Sequence, residues 1–229
     1  MHPLAGILVA YAAGSIPAAY LAGRLAGVDL RTKGSGNLGA TNVVRVLGWK
    51  VGLVVFLVDM LKGALPVALL PGVTTGAIDP AWLPIIYGAA AILGHVRPVW
   101  LGLGKGGKGV ATACGVFLAL ATVPTLFALA VFIVTFGATG YVSLASLAAA
   151  VGLPVFVGAV EGGVTPLVVV SVLIALFIFW THRPNMGRLR RGEEHRFEKM
   201  GSLGVKGGLV LALVVTAAFA VWLYLGAVQ

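Results

Sequence analysis

The positive charges of this chain are confined to three clusters, and the stretches between the clusters are apolar. All 16 Lys and Arg residues lie within residues 24–62, 97–108 and 183–206, whereas the two intervening stretches contain neither residue type. Cytoplasmic loops of membrane proteins collect Lys and Arg. The distribution therefore predicts a polytopic membrane protein with three basic loops in the cytoplasm and the N-terminus outside. Asp79 and Glu161 then mark loops on the opposite face.

The composition argues against a soluble domain and against a nucleic-acid-binding protein. Hydrophobic residues make up 59% of the 229 residues and charged residues 10%, whereas soluble domains carry roughly 25% charged residues. The net charge of +9 lies at the ends of apolar segments. It therefore favours membrane lipids and anionic substrates as partners. The single cysteine, Cys114, excludes an intramolecular disulfide, and we interpret it as a packing residue.

Apolar segments of about 20 residues can cross a bilayer as helices. Pro124 divides the longest apolar stretch into a short helix and a longer one. The sequence thus predicts an all-α polytopic membrane protein with about seven transmembrane helices, an additional C-terminal helix, and Gly-rich or re-entrant cytoplasmic loops. The predicted helices are Leu4–Gly23, Val51–Leu70, Trp82–Gly94, Val110–Ala121, Val123–Thr139, Val142–Val160, Thr165–Trp180 and Gly207–Gly226.

The first basic loop, residues 31–45, is dense in groups that bind anions. Glycines allow tight turns whose N–H groups converge on an anion. Arg45 can hold a phosphate through two parallel hydrogen bonds. The loop also contains the neutral donors Ser35, Asn37, Thr41 and Asn42. A solvated connector is the alternative, but a connector does not need this density of donors.

The second basic loop, residues 94–112, resembles a nucleotide-binding P-loop only in part. Gly109 stands where that motif requires Ser or Thr, and no strand precedes it, so an ATPase is excluded. A Gly-rich loop that enters a helix at Val110 still presents N–H groups and a positive helix end to a phosphate. Lys105 and Lys108 add charge. The alternative is a flexible loop whose lysines only set the topology.

The third basic loop, residues 182–197, contributes two polar side chains at helical spacing. His182 and Asn185 are three residues apart and share a face if the helix continues. We interpret most of the arginines that follow as surface charge that attracts anionic lipid. Glu193 and Glu194 are predicted to be partners of these arginines and not catalysts.

Three polar residues lie at membrane depth or at a helix end. Asp59 and Lys62 are three residues apart in the second predicted span, where charges are costly and usually paired or functional. We interpret them as a structural ion pair. His95 fits a base and a helix-end packing residue equally well.

The chain shows no classical nucleophile motif and no metal-ligand spacing. Its residues alone therefore predict a membrane-embedded phosphate-binding site without a metal or cofactor.

The three loops resemble the three signature motifs of the bacterial acyl-phosphate:glycerol-3-phosphate acyltransferases. The resemblance covers residues 1 to about 197. It departs from the family at Arg97 and Gly104, where the family usually has aromatic residues, and in the helix from residue 207 onward. The matching stretches are residues 34–42 with Arg45, residues 94–95 with 105–112, and residues 182–183 with Asn185, Arg188 and 192–194.

The resemblance implies a reaction and a location. A fatty acyl group is expected to pass from acyl phosphate to the 1-hydroxyl of glycerol 3-phosphate, giving lysophosphatidic acid and phosphate, the first step of phospholipid synthesis. The expected location is the bacterial inner membrane. Residues 1–200 would form the acyltransferase domain and residues 201–229 an added helix of the same integral domain. The oligomeric state stays open, and a monomer is compatible with the sequence.

The resemblance also assigns candidate site residues. We expect the catalytic residues to be Lys105, Ser35 and His182. His182 either takes the hydroxyl proton or binds substrate while a substrate phosphate takes the proton; we favour binding. Substrate binding is expected at Arg45, Asn42, Thr41, Asn37, Gly106, Gly107, Lys108, Gly109, Asn185 and Arg188.

Within this set, we expect the two substrates to use different residues. The Gly-rich loop at residues 106–109, with Ser35, Asn42 and Lys105, is expected to hold the acyl phosphate. Lys105 is also expected at the second substrate and could bridge the two. The residues expected to hold glycerol 3-phosphate are Arg45, Lys105, His182 and Asn185.

Two other classes of function compete with an enzyme. A transporter or channel for a phosphorylated solute also needs anion donors at membrane depth, but transporters usually show internal repeats, and none is evident here. A non-catalytic assembly subunit predicts that Ser35, Arg45 and Lys105 are replaceable without loss of function.

Overall fold

The computed structural model describes residues 1–76, 78–198 and 204–227, and the regular elements in these residues are helices, which agrees with the all-α prediction. Two single 3-10 turns, Pro71–Val73 and Val99–Leu101, lie between longer helices. The chain divides into two compact units, Met1–Leu120 and Ala121–Gln229. The helices of unit 1 are α1 (Pro3–Gly14), α2 (Ala18–Leu25), α3 (Ala40–Leu47), α4 (Trp49–Leu69), α5 (Leu83–Val96) and α6 (Val110–Leu120). Those of unit 2 are α7 (Thr122–Thr139), α8 (Val142–Glu161), α9 (Pro166–Thr181), α10 (Arg183–Arg190) and α11 (Gly204–Ala227).

Five helical segments in the described part of the chain are long and apolar enough to cross a membrane, and a sixth is added if α9 and α10, which are bent by 59°, are counted as one span. By contrast, α5 has 14 residues and α6 has 11. At 1.5 Å per residue these helices are about 21 and 16 Å long, shorter than the ~30 Å hydrocarbon core. The number of seven spans therefore stays a prediction. The five segments are Pro3–Leu25, Trp49–Val73, Thr122–Thr139, Val142–Glu161 and Lys206–Gly226.

Prolines set two of the helix boundaries. Pro124 lies in the first turn of α7, where a missing N–H is tolerated, so α6 ends at Leu120 and α7 begins two residues later, close to the predicted division. Pro17 separates α1 from α2. The predicted span over residues 4–23 corresponds to the segment Pro3–Leu25, within which Pro17, at φ −90° and ψ 68°, interrupts the regular helix.

Glycines bring α4 and α6 into close contact inside unit 1. A Cβ atom added to Gly63 would overlap the backbone carbonyl oxygen of Thr112, and one added to Gly115 would overlap that of Met60. Small residues allow such close approach between helices in lipid. This packing places the first turn of α6, where the second basic loop ends, against the middle of α4.

In unit 2, the additional C-terminal helix α11 packs on α7 through aromatic side chains. Phe219 is 6% exposed, and its ring centroid lies 4.7 Å from those of both Phe127 and Phe156, with tilted ring planes. Such edge-to-face pairs add about 0.5–1.5 kcal/mol beyond the buried area. The predicted helix after residue 207 is thus confirmed, and the predicted boundary at residues 200/201 lies outside the described residues.

Candidate active site

The first basic loop is held in shape by a buried asparagine. Asn42, in the first turn of α3, is 1% exposed. Its Oδ1 accepts a hydrogen bond from the Ser35 N–H (2.8 Å), and its Nδ2 donates to the carbonyls of Leu30 (3.1 Å) and Lys33 (3.0 Å). These bonds engage the amide within its own loop. Asn42, predicted to bind substrate, therefore acts on the structure of the loop that presents Ser35.

Ser35 lies at the exposed tip of this loop between two glycines with positive φ. Gly34 has a φ of +59° and Gly36 a φ of +69°, the left-handed region that glycine occupies at little cost. The turn projects Ser35 outward, and its side chain is exposed. Arg45 is partly buried in the last turn of α3. The predicted donors Asn37 and Thr41, also partly buried, lie just before and at the start of that helix.

Asp29, a carboxylate next to this loop, is neutralised locally. Arg31 Nη2 lies 2.8 Å from Asp29 Oδ2, and the Arg31 backbone N–H donates to Oδ1 (3.0 Å). The hydrogen bonds from the Arg31 side chain and backbone lower the pKa of Asp29 from its ordinary value of 3.8 to about 2. Arg31 is thus committed to Asp29, and Lys33 and Arg45 supply the further positive charge of the loop.

The second loop is packed tightly at Gly106 and Gly107. A Cβ atom at Gly106 would overlap the backbone carbonyl oxygen of His95, and one at Gly107 would overlap His95 Nε2. The Gly106 N–H donates to the Val96 carbonyl (3.0 Å) and the Gly107 N–H to the His95 carbonyl (3.2 Å). The expectation of bare N–H groups is therefore wrong for these two glycines, because their N–H groups bind the end of α5.

Helix α6 starts directly after the second loop. Gly109, with a φ of +88°, ends the loop, and a backbone bond into the helix runs from the Ala113 N–H to the Gly109 carbonyl (2.8 Å). The N–H groups of a first helical turn have no carbonyl partner within their own helix, which makes such a turn suitable for an anion. Lys105 is exposed and Lys108 partly buried on the approach to this turn.

The two loops of unit 1 meet at Gly107. A Cβ atom at this position would also lie 3.0 Å from the Leu38 carbonyl oxygen of the first loop. Leu38 itself is 5% exposed and belongs to the hydrophobic cluster that contains Val43 of α3. The structure thus brings together, within one unit, the loop that presents Ser35 and the loop that presents Lys105.

The third loop lies in unit 2, where His182 occupies the bend between α9 and α10. His182 is 3% exposed, and its Nδ1 lies 2.8 Å from the Ile178 carbonyl oxygen. A carbonyl oxygen can only accept, so Nδ1 carries a proton in this contact. In the neutral imidazole, Nε2 is then the unprotonated nitrogen, which can accept a hydrogen bond or a proton.

Glu194 organises the rest of the third loop. The Asn185 Nδ2 donates to Glu194 Oε1 (2.9 Å), and the Arg188 Nε donates to Oε2 (2.8 Å). Glu194 is 7% exposed. The prediction that the glutamates pair with the surface arginines is confirmed for Glu193, since Arg191 Nε lies 2.7 Å from Glu193 Oε2. Glu194 pairs instead with Arg188, a residue predicted to bind substrate. The bond that orients Asn185 was not predicted, because it joins residues nine positions apart.

The ion pair predicted on the second span is also present. Lys62 Nζ lies 2.7 Å from Asp59 Oδ1, and both residues are buried. His95 Nδ1 lies 3.5 Å from the same oxygen, a proximity that the sequence analysis did not identify. Within the described residues, no group of three or more His, Cys, Asp or Glu side chains is placed to hold a metal ion.

Comparison with known proteins assigns these loops to a family of enzymes. Residues 4–192 match the family model described as "Glycerol-3-phosphate acyltransferase". A protein of that name from Geobacter sulfurreducens is 50% identical over 191 residues, which cover 83% of this chain and 95% of the relative. One from Myxococcus xanthus is 46% identical over 192 residues, covering 83% and 97%.

Two solved structures resemble that of this chain. One is the glycerol 3-phosphate form of PlsY (YgiH), an integral membrane glycerol 3-phosphate acyltransferase. It matches with a TM-score of 0.78 and 41% identity over 85% of this chain and 95% of that one. The lysophosphatidic acid form of PlsY matches with a TM-score of 0.76 and 38% identity, covering 91% and 98%.

Proposed function

The chain belongs to the glycerol-3-phosphate acyltransferase family, and we propose that it uses a fatty acyl phosphate as the acyl donor. The protein is an integral membrane, multi-pass acyltransferase like its structural neighbours. Glycerol 3-phosphate is the acceptor, and the proposed products are lysophosphatidic acid and inorganic phosphate.

The observation that supports the choice of donor is the placement of two separate groups of candidate anion donors in unit 1. The first is α3 with Arg45, preceded by the loop that presents Ser35. The second is the first turn of α6, approached by Lys105 and Lys108. A helix start with lysines nearby favours a phosphate. One phosphate belongs to the acceptor, so a second element supports a donor that also carries a phosphate.

The proposed reaction is a single acyl transfer. The 1-hydroxyl oxygen of glycerol 3-phosphate forms a bond to the acyl carbonyl carbon, and the bond from that carbon to the phosphate oxygen breaks. Inorganic phosphate leaves with the electron pair, and the hydroxyl proton passes to a base. Because a mixed anhydride is already activated, positioning and charge neutralisation can supply most of the rate without a metal or cofactor.

In this proposal, the residues of unit 1 neutralise phosphate charge. The N–H groups that open α6, together with Lys105 and Lys108, hold the phosphate of the donor as charge develops on it. Gly106 and Gly107 set the position of this turn through their bonds to α5. Ser35 is placed on its turn to donate a hydrogen bond to the donor, and Arg45 holds the phosphate of the acceptor.

In the same proposal, His182 and Asn185 bind the glycerol part of the acceptor. Since His182 Nδ1 contacts the Ile178 carbonyl, the opposite edge of the ring is proposed to face the substrate. Asn185, oriented by Glu194, presents its amide oxygen as a second acceptor. We assign the proton of the reacting hydroxyl to a phosphate oxygen of the substrate, with His182 as the alternative base.

The three basic loops are proposed to face the cytoplasm, with the N-terminus outside. This orientation places both phosphorylated substrates at the surface where Lys and Arg collect. The fatty chain of the donor would remain in the lipid, beside the exposed apolar side chains of the spans.

The donor is tested with the purified protein in detergent, supplied with glycerol 3-phosphate and either palmitoyl phosphate or palmitoyl-CoA. Equal amounts of phosphate and lysophosphatidic acid from palmitoyl phosphate alone are expected. Lys105→Ala should abolish turnover. Lys50→Ala, which removes another exposed lysine of unit 1, is the matched control and should retain activity. Turnover with palmitoyl-CoA and none with palmitoyl phosphate would overturn the proposed donor.

The role of His182 is tested by His182→Ala at saturating concentrations of both substrates. A raised KM for glycerol 3-phosphate with nearly unchanged kcat is expected for a binding residue. A loss of kcat of about 100-fold or more would instead assign the proton to this imidazole.

A further inference from the structure

Three ionisable residues form a buried cluster beneath the second loop of unit 1. Asp59, Lys62 and His95 are 2%, 6% and 5% exposed. Lys62 Nζ lies 2.7 Å from Asp59 Oδ1 and donates to the Ile16 carbonyl (2.7 Å). The ammonium group therefore has two oxygen partners, one from the Asp59 carboxylate and one from the backbone.

His95, the third residue of the cluster, approaches Asp59 without forming a hydrogen bond. His95 Nδ1 lies 3.5 Å from Asp59 Oδ1, and within the described residues neither atom has a hydrogen bond of good geometry, although the lysine is at ion-pair distance. A buried polar atom without a hydrogen bond is destabilising. A cluster that served stability alone would be expected to satisfy these atoms, and unsatisfied ones in native proteins often accompany function.

The opposite edge of the same imidazole supports the glycine loop. A Cβ atom at Gly107 would overlap His95 Nε2, and the His95 carbonyl accepts the Gly107 N–H (3.2 Å). The carbonyl of the next residue, Val96, accepts the Gly106 N–H (3.0 Å). His95 therefore contacts this loop through both its ring and its backbone.

The Asp59 carboxylate lies beside the Nδ1 edge of the His95 ring. The 3.5 Å contact lacks hydrogen-bond geometry, so it restrains the ring through packing and electrostatics. Lys62 supports this arrangement because its ammonium group holds the carboxylate in place at 2.7 Å.

We propose that Asp59 and Lys62 are positioning residues that act through His95 to fix the glycine loop at Gly106 and Gly107. The loop leads directly into the first turn of α6, so its position sets where the N–H groups of that turn point. The inference rests on the proposed function, in which that turn binds the phosphate of the acyl donor. The cluster thereby governs the use of the donor and leaves glycerol 3-phosphate binding unchanged.

The test compares kinetic constants of variants in detergent, with palmitoyl phosphate and glycerol 3-phosphate varied separately. The double variant D59N/K62M removes both charges together, because a lone buried charge would compromise folding. His95→Asn keeps a polar group near the position of Nδ1 but cannot reach Gly107. Each is expected to lower kcat/KM for palmitoyl phosphate at least tenfold, with the KM for glycerol 3-phosphate within twofold of wild type.

A double-mutant cycle shows whether the pair acts through the imidazole. In the His95→Asn background, adding D59N/K62M should cause no further loss of kcat/KM for palmitoyl phosphate. Additive losses, an unchanged kcat/KM, or equal increases in both KM values would overturn the proposal. Val67→Ala, a buried change farther along the same helix, calibrates the effect of general destabilisation and should shift only thermal unfolding.

Two controls keep the result interpretable. If D59N/K62M does not fold, His95→Asn against His95→Phe decides the question, since both leave the ion pair intact. Full activity of His95→Phe would then refute a positioning role. Failure of the wild-type protein to use palmitoyl phosphate would instead overturn the proposed donor and remove the premise, so the two failures are distinguishable.

Discussion

Replacing Gly106 with Ala should impair the use of the acyl donor far more than it impairs the use of glycerol 3-phosphate. The added Cβ atom would overlap the backbone carbonyl oxygen of His95 and lie 2.9 Å from Cδ of Pro98. Neither neighbour can rotate away, because one is backbone and the other is a closed ring. The loop itself must therefore move.

The size of that movement follows from the contact distances. Protein interiors are close-packed, so restoring an ordinary carbon–oxygen contact requires a shift of roughly 1 Å. A 1 Å shift would stretch the 3.0 Å bond from the Gly106 N–H to the Val96 carbonyl beyond hydrogen-bond range. Overpacking of this kind costs about 1–3 kcal/mol of stability. A misplacement of about 1 Å in a positioning element can lower the rate about 100-fold.

The assay is release of phosphate from palmitoyl phosphate by the purified Gly106→Ala variant, with each substrate varied in turn. We expect kcat/KM for the donor to fall about 100-fold. The KM for glycerol 3-phosphate should change little. Gly72→Ala is the matched control in unit 1, because a Cβ atom there meets no atom within 4 Å. A Gly106→Ala variant with wild-type kcat/KM would show that the glycine contacts do not position the donor.

Three further predictions concern the other loops. Asn42→Ala removes three hydrogen bonds, each about 1 kcal/mol, and should lower turnover at least tenfold; wild-type turnover would refute its role in shaping the loop. Glu194→Gln weakens the bond to Arg188 by about 1–2 kcal/mol and should lower the unfolding temperature in detergent, whereas an unchanged temperature would contradict the assigned contact. Because the Arg31 hydrogen bonds lower the pKa of Asp29 to about 2, the stability that Asp29 contributes is present above pH 4 and lost as the pH falls through 2. Thermal unfolding of Asp29→Asn should therefore differ from wild type by a constant amount at pH 5–8, and this difference should shrink below pH 4; a difference that grows on acidification would refute this sign.

Much of the fold was predictable because apolar length and proline position are visible in the sequence. The prediction for residues 142–160 agrees with α8 to within one residue, and Pro124 indicated the division between α6 and α7. Helix α3 was missed, because residues 40–47 were interpreted as part of an anion-binding loop. The spacing of Val43, Val46 and Leu47 along one face could have revealed it.

The family was predictable from the three loops, and the comparisons confirm it. The loops can be recognised because donor groups of one chemical kind are concentrated within short stretches. This reasoning predicts which loops bind anions, but the roles of single residues depend on contacts between segments. Asn42 and Ser35 share one hydrogen bond across seven positions, and Asn185 and Glu194 share one across nine. Such contacts leave no periodic signal in the sequence.

The glycines of the two loops of unit 1 illustrate why composition alone is ambiguous. Gly34 and Gly36 are required for their positive φ, which other residues adopt only with strain. Gly106 is required for a different reason, since its φ is ordinary and the space for a side chain is already occupied by His95 and Pro98. In sequence both loops look like flexible Gly-rich connectors. A glycine whose neighbours leave no room for a side chain makes its loop rigid, because those neighbours also limit the movement of the backbone. A Cβ atom at Gly34 would likewise overlap Oδ1 of Asn42, so both loops are restrained by contact, as the proposed holding of two phosphate groups requires.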